Sequence, residues 1–125
     1  MASVKAVRAA LRKYALTFPD TTEAHPWGEN VTKVRGKVFV FFGPEEDASD
    51  GVMGVKLTRS LLFARSLPYV EAMGYGLGKS GWCTVKRPPR GSVDVALMKE
   101  WIGESYEAVA PKKTVRATTT KKRAR

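Results

Sequence analysis

A chain of 125 residues with 43% hydrophobic and 27% charged residues has the composition of one soluble globular domain. Its single cysteine, Cys83, excludes an internal disulfide, and its single histidine, His25, excludes a histidine-rich zinc site. Lys and Arg number 22 against 12 Asp and Glu, a net charge of +10 that favours a polyanionic partner without naming one.

The excess is unevenly placed. Residues 111–125 hold Lys112, Lys113, Arg116, Lys121, Lys122, Arg123 and Arg125 with no acid, leaving 15 basic against 12 acidic residues in 1–110. Alanine and threonine fill that segment without apolar periodicity, so it reads as a disordered basic tail behind a domain over 1–110. Such a run either contacts nucleic acid or solvates the end of the chain.

Ser3 is placed to cap a first helix over Val4–Leu16, with Val4, Val7, Leu11 and Tyr14 as its core stripe and Lys5, Arg8 and Arg12 on the opposite side. Residues 1–19 lack acids and superficially suit a mitochondrial presequence, but the stripe makes the segment structural. The charges within it exclude a secretory signal, and the longest apolar run, Val38–Phe42, is too short to span a bilayer. A cytoplasmic protein is expected, with no membrane partner.

Glu23–Trp27 suggests a short strand interrupted by Pro26. Val31–Arg35 alternates, Gly36-Lys37 supplies a two-residue turn, and Val38–Phe42 returns as a buried strand. An acidic loop over Gly43–Gly51 leads to a strand at Val52–Leu57, with Met53, Val55 and Leu57 on one face. Thr58 is placed to cap a helix carrying Leu61, Leu62 and Leu67. After the glycine-rich stretch 74–81, Trp82–Arg87 reads as a strand stopped by Pro88-Pro89. Ser92 is placed to cap a last helix, Val93–Val109, with Leu97, Met98, Trp101, Ile102 and Tyr106 inward and Asp94, Glu100, Glu104 and Glu107 exposed. The order predicts an α+β fold: an antiparallel sheet with helices packed on one face.

Several apparent motifs fail in context. Gly76-Leu77-Gly78-Lys79-Ser80-Gly81 matches G-x-G-x-x-G, but a helical segment precedes it and a strand follows, the reverse of what a phosphate loop needs. Met73 stands where a P-loop requires its first glycine. Glu45, Glu46, Asp47 and Asp50 lack the ligand spacing of a calcium loop. Cys83 alternates with Val85 as a small buried residue, and His25 is read as packing or making a local hydrogen bond, so a nucleophile–base pair is not expected. The residues imply no metal or other cofactor and no enzyme.

Basic residues cluster in two places. Lys33 and Arg35 alternate on the hairpin with Lys37 at its turn, while Lys79, Lys86, Arg87 and Arg90 flank the later strand near Tyr75 and Trp82. Basic strands can follow phosphates while an aromatic packs on a base; lysines at sheet edges also discourage aggregation. Trp27, Trp82 and Trp101 are read as core anchors.

Four separated stretches carry a resemblance: Pro26-Trp27-Gly28, Lys33-Val34-Arg35-Gly36-Lys37-Val38-Phe39, Gly78-Lys79-Ser80-Gly81-Trp82, and Ile102 through Lys112. In this order they resemble the MmcQ/YjbR family, over nearly all the chain from the first helix to Lys113. The resemblance implies a fold similar to CyaY/frataxin, described as a double-wing arrangement and labelled DNA-binding. Many members carry Asn-Lys-x-His before the tryptophan; here Lys79 keeps the lysine, while Ser80 and Gly81 leave no histidine there. Frataxin-type iron handling uses an acidic first helix, and this one is basic, so iron binding is not carried over.

The leading expectation is a monomeric nucleic-acid-binding protein, DNA more than RNA, non-specific or weakly specific. It uses Lys33, Arg35, Lys37, Lys79, Lys86, Arg87, Arg90 and the tail. The alternative is a non-catalytic module binding a protein or an acidic small molecule in the cleft between sheet and helices.

Overall fold

Ser3 opens the first helix by accepting a hydrogen bond from the Ala6 N–H at 3.1 Å, and α1 runs over Val4–Ala15. A computed structural model describes residues 3–43, 51–74 and 76–111, the Trp27 side chain excepted. The acidic residues Glu45, Glu46, Asp47 and Asp50, together with Tyr75, lie outside the described residues. So do the tail residues Lys112, Lys113, Arg116, Lys121, Lys122, Arg123 and Arg125.

Six strands follow: β1 Thr21–Ala24, β2 Val31–Val34, β3 Lys37–Phe41, β4 Gly51–Lys56, β5 Val70–Ala72 and β6 Trp82–Lys86. They form one antiparallel sheet in the order β1-β2-β3-β4-β6-β5. A short helix α2 spans Leu61–Arg65 and a long one, α3, spans Val95–Val109. Helices α1 and α3 pack on each other and on β3 and β4, so the fold is the expected α+β sheet with helices on one face.

The differences from the sequence reading have local causes. The hairpin turn is Arg35-Gly36, both at positive φ (52° and 83°), and Lys37 already belongs to β3. Pro26–Gly28 forms a 3-10 turn, which limits the first strand to residues before His25. Strand β5 has only three residues, two of them exposed, so it carries no readable alternation; pairing to β6 defines it. Asp94, not Ser92, caps α3, accepting from the Leu97 N–H at 3.1 Å. The glycine-rich motif is a 3-10 turn over Leu77–Ser80 between two left-handed glycines, Gly76 and Gly81, and it feeds β6.

Two register shifts thicken the core. Val40 opposes Thr32 but Val38 opposes Lys33, so Phe39 is an extra residue and it and Val40 both enter the core. On β4 the same happens at Val52, buried beside Met53. With Val7, Leu11, Ala15, Met98, Trp101, Ile102 and Tyr106 these residues fill the space between sheet and helices.

Arg8 departs from expectation. It is 6% exposed and lies in the buried stripe of α1 between Val7 and Leu11, rather than on the solvent side. Its position four residues after Val4 and three before Leu11 belongs to the inward face of a helix.

Helix α3 is tied down by three consecutive residues. Glu104, expected to be exposed, is 3% exposed. Its carboxylate accepts from the Thr58 N–H (2.8 Å), the Ser60 N–H (3.1 Å) and the Ser60 hydroxyl (2.8 Å), and Arg59 Nε lies 3.5 Å away. It therefore does from outside what Thr58 was expected to do, since the residue preceding α2, Ser60, makes no side-chain cap bond. The Ser105 hydroxyl accepts from the Lys56 N–H (2.9 Å) and donates to the Phe39 carbonyl (2.6 Å), bridging β3 and β4 beyond their last paired residues, Val40 and Val55. Tyr106 stacks on Phe18 (4.7 Å between centroids), meets Phe39 edge-on, and donates its hydroxyl proton to the Pro19 carbonyl at 2.9 Å.

Candidate nucleic-acid interface

The face of the sheet away from α1 and α3 follows from register and alternation. Phe41 pairs with Val31 and Gly54, Gly54 with Thr84, and Lys56 with Trp82, which sets these side chains on one side. Continuing each strand by two residues adds Lys33 on β2 and Lys86 on β6. This face thus carries Lys33, Lys56 and Lys86 around the aromatic pair Phe41 and Trp82, whose rings meet edge-on at 5.3 Å between centroids.

Gly54 leaves room beside the pair: a Cβ there would meet the mobile end of the Met73 side chain and lie 3.4 Å from Phe41 Cβ, so the methionine end would have to shift for any other residue. Phe41 is half-buried, whereas Trp82 is 9% exposed and anchors the cluster. Val31, opposite Phe41, is fully buried.

The basic residues divide between two ends. Lys37 begins β3, Lys56 ends β4 and Trp82 begins β6, so Lys33, Arg35, Lys37, Lys56 and Lys79 gather at one end of the sheet. Lys86 and Arg87 lie at the opposite end of β6, five residues or about 17 Å along the strand from Gly81, with Arg90 in the loop beyond. Arg35 faces Asp20 at 4.0 Å with both side chains half exposed, a contact of little energetic weight. Lys86 pairs with Glu71 on β5. Among the described residues Lys33 and Lys56 have no acidic partner. Lys56 is the residue sequence reading missed, although its alternation with the inward Val55 and Leu57 was the signal for it.

The two chemistry-bearing residues stay apart. His25 follows β1 and Cys83 sits on β6, four inter-strand spacings or about 19 Å across the sheet. His25 Nδ1 meets Asn30 Oδ1 at 2.7 Å, and because Asn30 Nδ2 donates to the Gly43 carbonyl (2.9 Å), the proton of that bond belongs to His25 Nδ1. Cys83 is fully buried, and burial pushes its thiol above the ordinary value, against a smaller lowering by Arg65. Among the described residues no group of three or more His, Cys, Asp or Glu side chains comes together, and no helix is long and apolar enough to cross a membrane.

A six-stranded antiparallel sheet, helices on one face and a basic, aromatic-centred opposite face together define a small α+β protein. A family model, YjbR, matches residues 16–108, and the chain belongs to the YjbR family. A search of the curated proteins found no match. The match begins just after α1 and takes in every strand and all but the last residue of α3, including the Glu104–Tyr106 ties.

Proposed function

We propose that the protein binds nucleic acid without strong sequence preference, laying a single strand across the helix-free face of the sheet. The observation that carries this reading is the setting of Lys33, Lys56 and Lys86 around the partly exposed ring of Phe41 on one face. Lysines spread across the strands of one face can follow a phosphate backbone, and a partly exposed aromatic ring offers a base a stacking partner whatever its identity. Arg35, Lys37 and Lys79 extend the positive end of this face, Arg87 and Arg90 lie at the other, and the tail adds charge without choosing sequence.

The test is a salt-series titration of the full chain against single-stranded and duplex oligonucleotides. Each phosphate neutralised contributes about −0.7 to the log–log salt slope on a single strand. Replacing Lys33, Lys56 and Lys86 together with alanine is expected to flatten that slope by about 2 units, equally for all sequences. Deleting residues 111–125 should flatten it further and leave the face contribution in place. Salt-dependent binding that ignores the triple substitution would remove the sheet face as the site. No binding near physiological ionic strength would end the nucleic-acid reading.

A further inference from the structure

A second surface lies at α2. We propose that the apolar tip formed by Leu62 and Phe63 docks on an anionic lipid surface, entering the headgroup layer without crossing it. Leu61 and Ala64, with Leu67 just beyond the helix, are spaced three apart and turn to the core: Ala64 is fully buried and the two leucines pack against the core cluster. The sequence groups Leu62 with Leu61 and Leu67, yet it is 88% exposed, and Phe63 beside it is 57% exposed. A helix whose outer side met water alone would carry polar residues there. Leu77 adds a third exposed apolar side chain nearby, because Arg65 of α2 donates to the Gly78 carbonyl and holds the 3-10 turn Leu77–Ser80 to the helix.

The charge around the tip fits anionic headgroups. Between Asp50 and Glu71 the sequence holds Lys56, Arg59 and Arg65 and no acid. Arg59 is paired with Glu104 and Glu107, and Lys56 lies on the open face of the sheet, so the cations left at the tip are Arg65 and Lys79. Arg65 spends its bond on a neutral carbonyl, and Lys79 has no acidic partner among the described residues, so both keep their charge. Glu71, the next acid along the chain, pairs with Lys86. A second copy of the chain fits less well. Specific protein interfaces take roughly 20–30 residues a side around a packed apolar centre, whereas two adjacent side chains stand out here from a five-residue helix. A lipid surface needs no matching shape. Shallow insertion of one aliphatic and one aromatic residue is weak alone and needs an electrostatic second signal, which the net charge of +10 supplies.

Co-sedimentation of the full chain with vesicles of phosphatidylcholine alone, and of phosphatidylcholine with phosphatidylserine, tests the proposal. Salt-sensitive binding is expected only where phosphatidylserine is present. L62S/F63S removes exposed side chains, so it should fold normally and bind those vesicles at least about tenfold more weakly. K79A should bind them about fivefold more weakly. The added tryptophan of L62W should be quenched by lipids brominated on their acyl chains, which attachment through residues 111–125 alone would not produce. L62S/F63S should keep its affinity for single strands, which separates this surface from the sheet face. Equal vesicle binding by the native chain and L62S/F63S, or equal binding to both kinds of vesicle, would overturn the proposal. So would a loss of strand binding in L62S/F63S, which would make the tip a wedge between bases, or a loss of self-association, which would make its occupant a second copy.

Discussion

The two faces of the sheet treat their polar residues in opposite ways. On the covered face, Glu104 and Ser105 of α3 are buried and turned to the protein itself: to backbone at Thr58, Ser60, Lys56 and Phe39, and for Glu104 also to the Ser60 hydroxyl and Arg59. On the open face, Lys33 and Lys56 are half exposed and Lys86 exposed, and the first two have no acidic partner among the described residues. A polar residue wired into backbone serves the fold, since removing it orphans groups that water cannot reach. A polar residue held at the surface without an ion-pair partner is available to a ligand. Within the stretch from Ile102 onward, Glu104 and Ser105 brace the turn before α2 and the opening between β3 and β4.

The largest effect that would sharpen this contrast is expected at Glu104. Replacing it with alanine takes the acceptor from two part-buried backbone N–H groups and the Ser60 hydroxyl, costing about 3 kcal/mol. Urea unfolding should show a lower midpoint at unchanged m-value, while the salt slope of nucleic-acid binding stays the same for the folded fraction. A change in that slope would mean that the covered face takes part in binding, and the comparison would break. Next comes Ser105→Ala, which orphans the Lys56 N–H and the Phe39 carbonyl at once and should cost about 2 kcal/mol.

The strands and the long helices were legible because period-two and period-3.6 apolar patterns survive in β2, β3, β4, β6, α1 and α3. Glu104 was not, because an acidic residue between Trp101, Ile102 and Tyr106 reads as exposed unless the turn at 58–60 is known to lie against it. Ser105 was hidden for the same reason: its task depends on a bulge at Phe39, and one extra residue in a strand leaves no mark on an already apolar run such as Val38–Phe42. Arg8 and Lys56 were within reach. Helical spacing puts Arg8 with Val4 and Leu11, against what its charge suggests, and alternation puts Lys56 opposite Val55 and Leu57. At the site, the sequence supplied the hairpin basics and Trp82, whereas the union of Lys33 with Lys56 and Lys86 needed the strand order, which places β6 beside β4.

A smaller effect tests the aromatic part of the open face. Phe41→Leu keeps a half-buried apolar side chain, somewhat smaller, near Gly54 and Met73 but removes the aromatic ring, so stability should change by less than about 1.5 kcal/mol. Affinity for a single strand should fall about tenfold, within the range of one lost stacking partner, with the salt slope unchanged. Unchanged affinity would assign Phe41 to packing with Trp82 alone and leave the lysines as a purely electrostatic surface.

The smallest expected effect concerns Cys83, buried on the covered face between Val55 on β4 and Ala72 on β5. Burial raises its thiol above the ordinary 9.0, so in rising pH the unfolded chain releases this proton before the folded one does. The unfolded state then binds fewer protons, and stability must fall from about pH 9 upward, at no more than about 1.4 kcal/mol per pH unit for one group. Below pH 9 both states hold the proton and the group contributes no slope. Tyr14, also raised by burial above its ordinary 10.0, adds a second decline at higher pH. Cys83→Ala should cost about 1 kcal/mol at neutral pH through the small cavity it leaves. The difference between native and C83A stability, from urea unfolding at pH 7 to 11, should stay constant to pH 9 and then shrink, while the Tyr14 decline remains in both. Parallel curves through that window would mean that the thiol ionises as readily folded as unfolded, and Cys83 would then belong with the accessible groups of the open face rather than with Glu104 and Ser105.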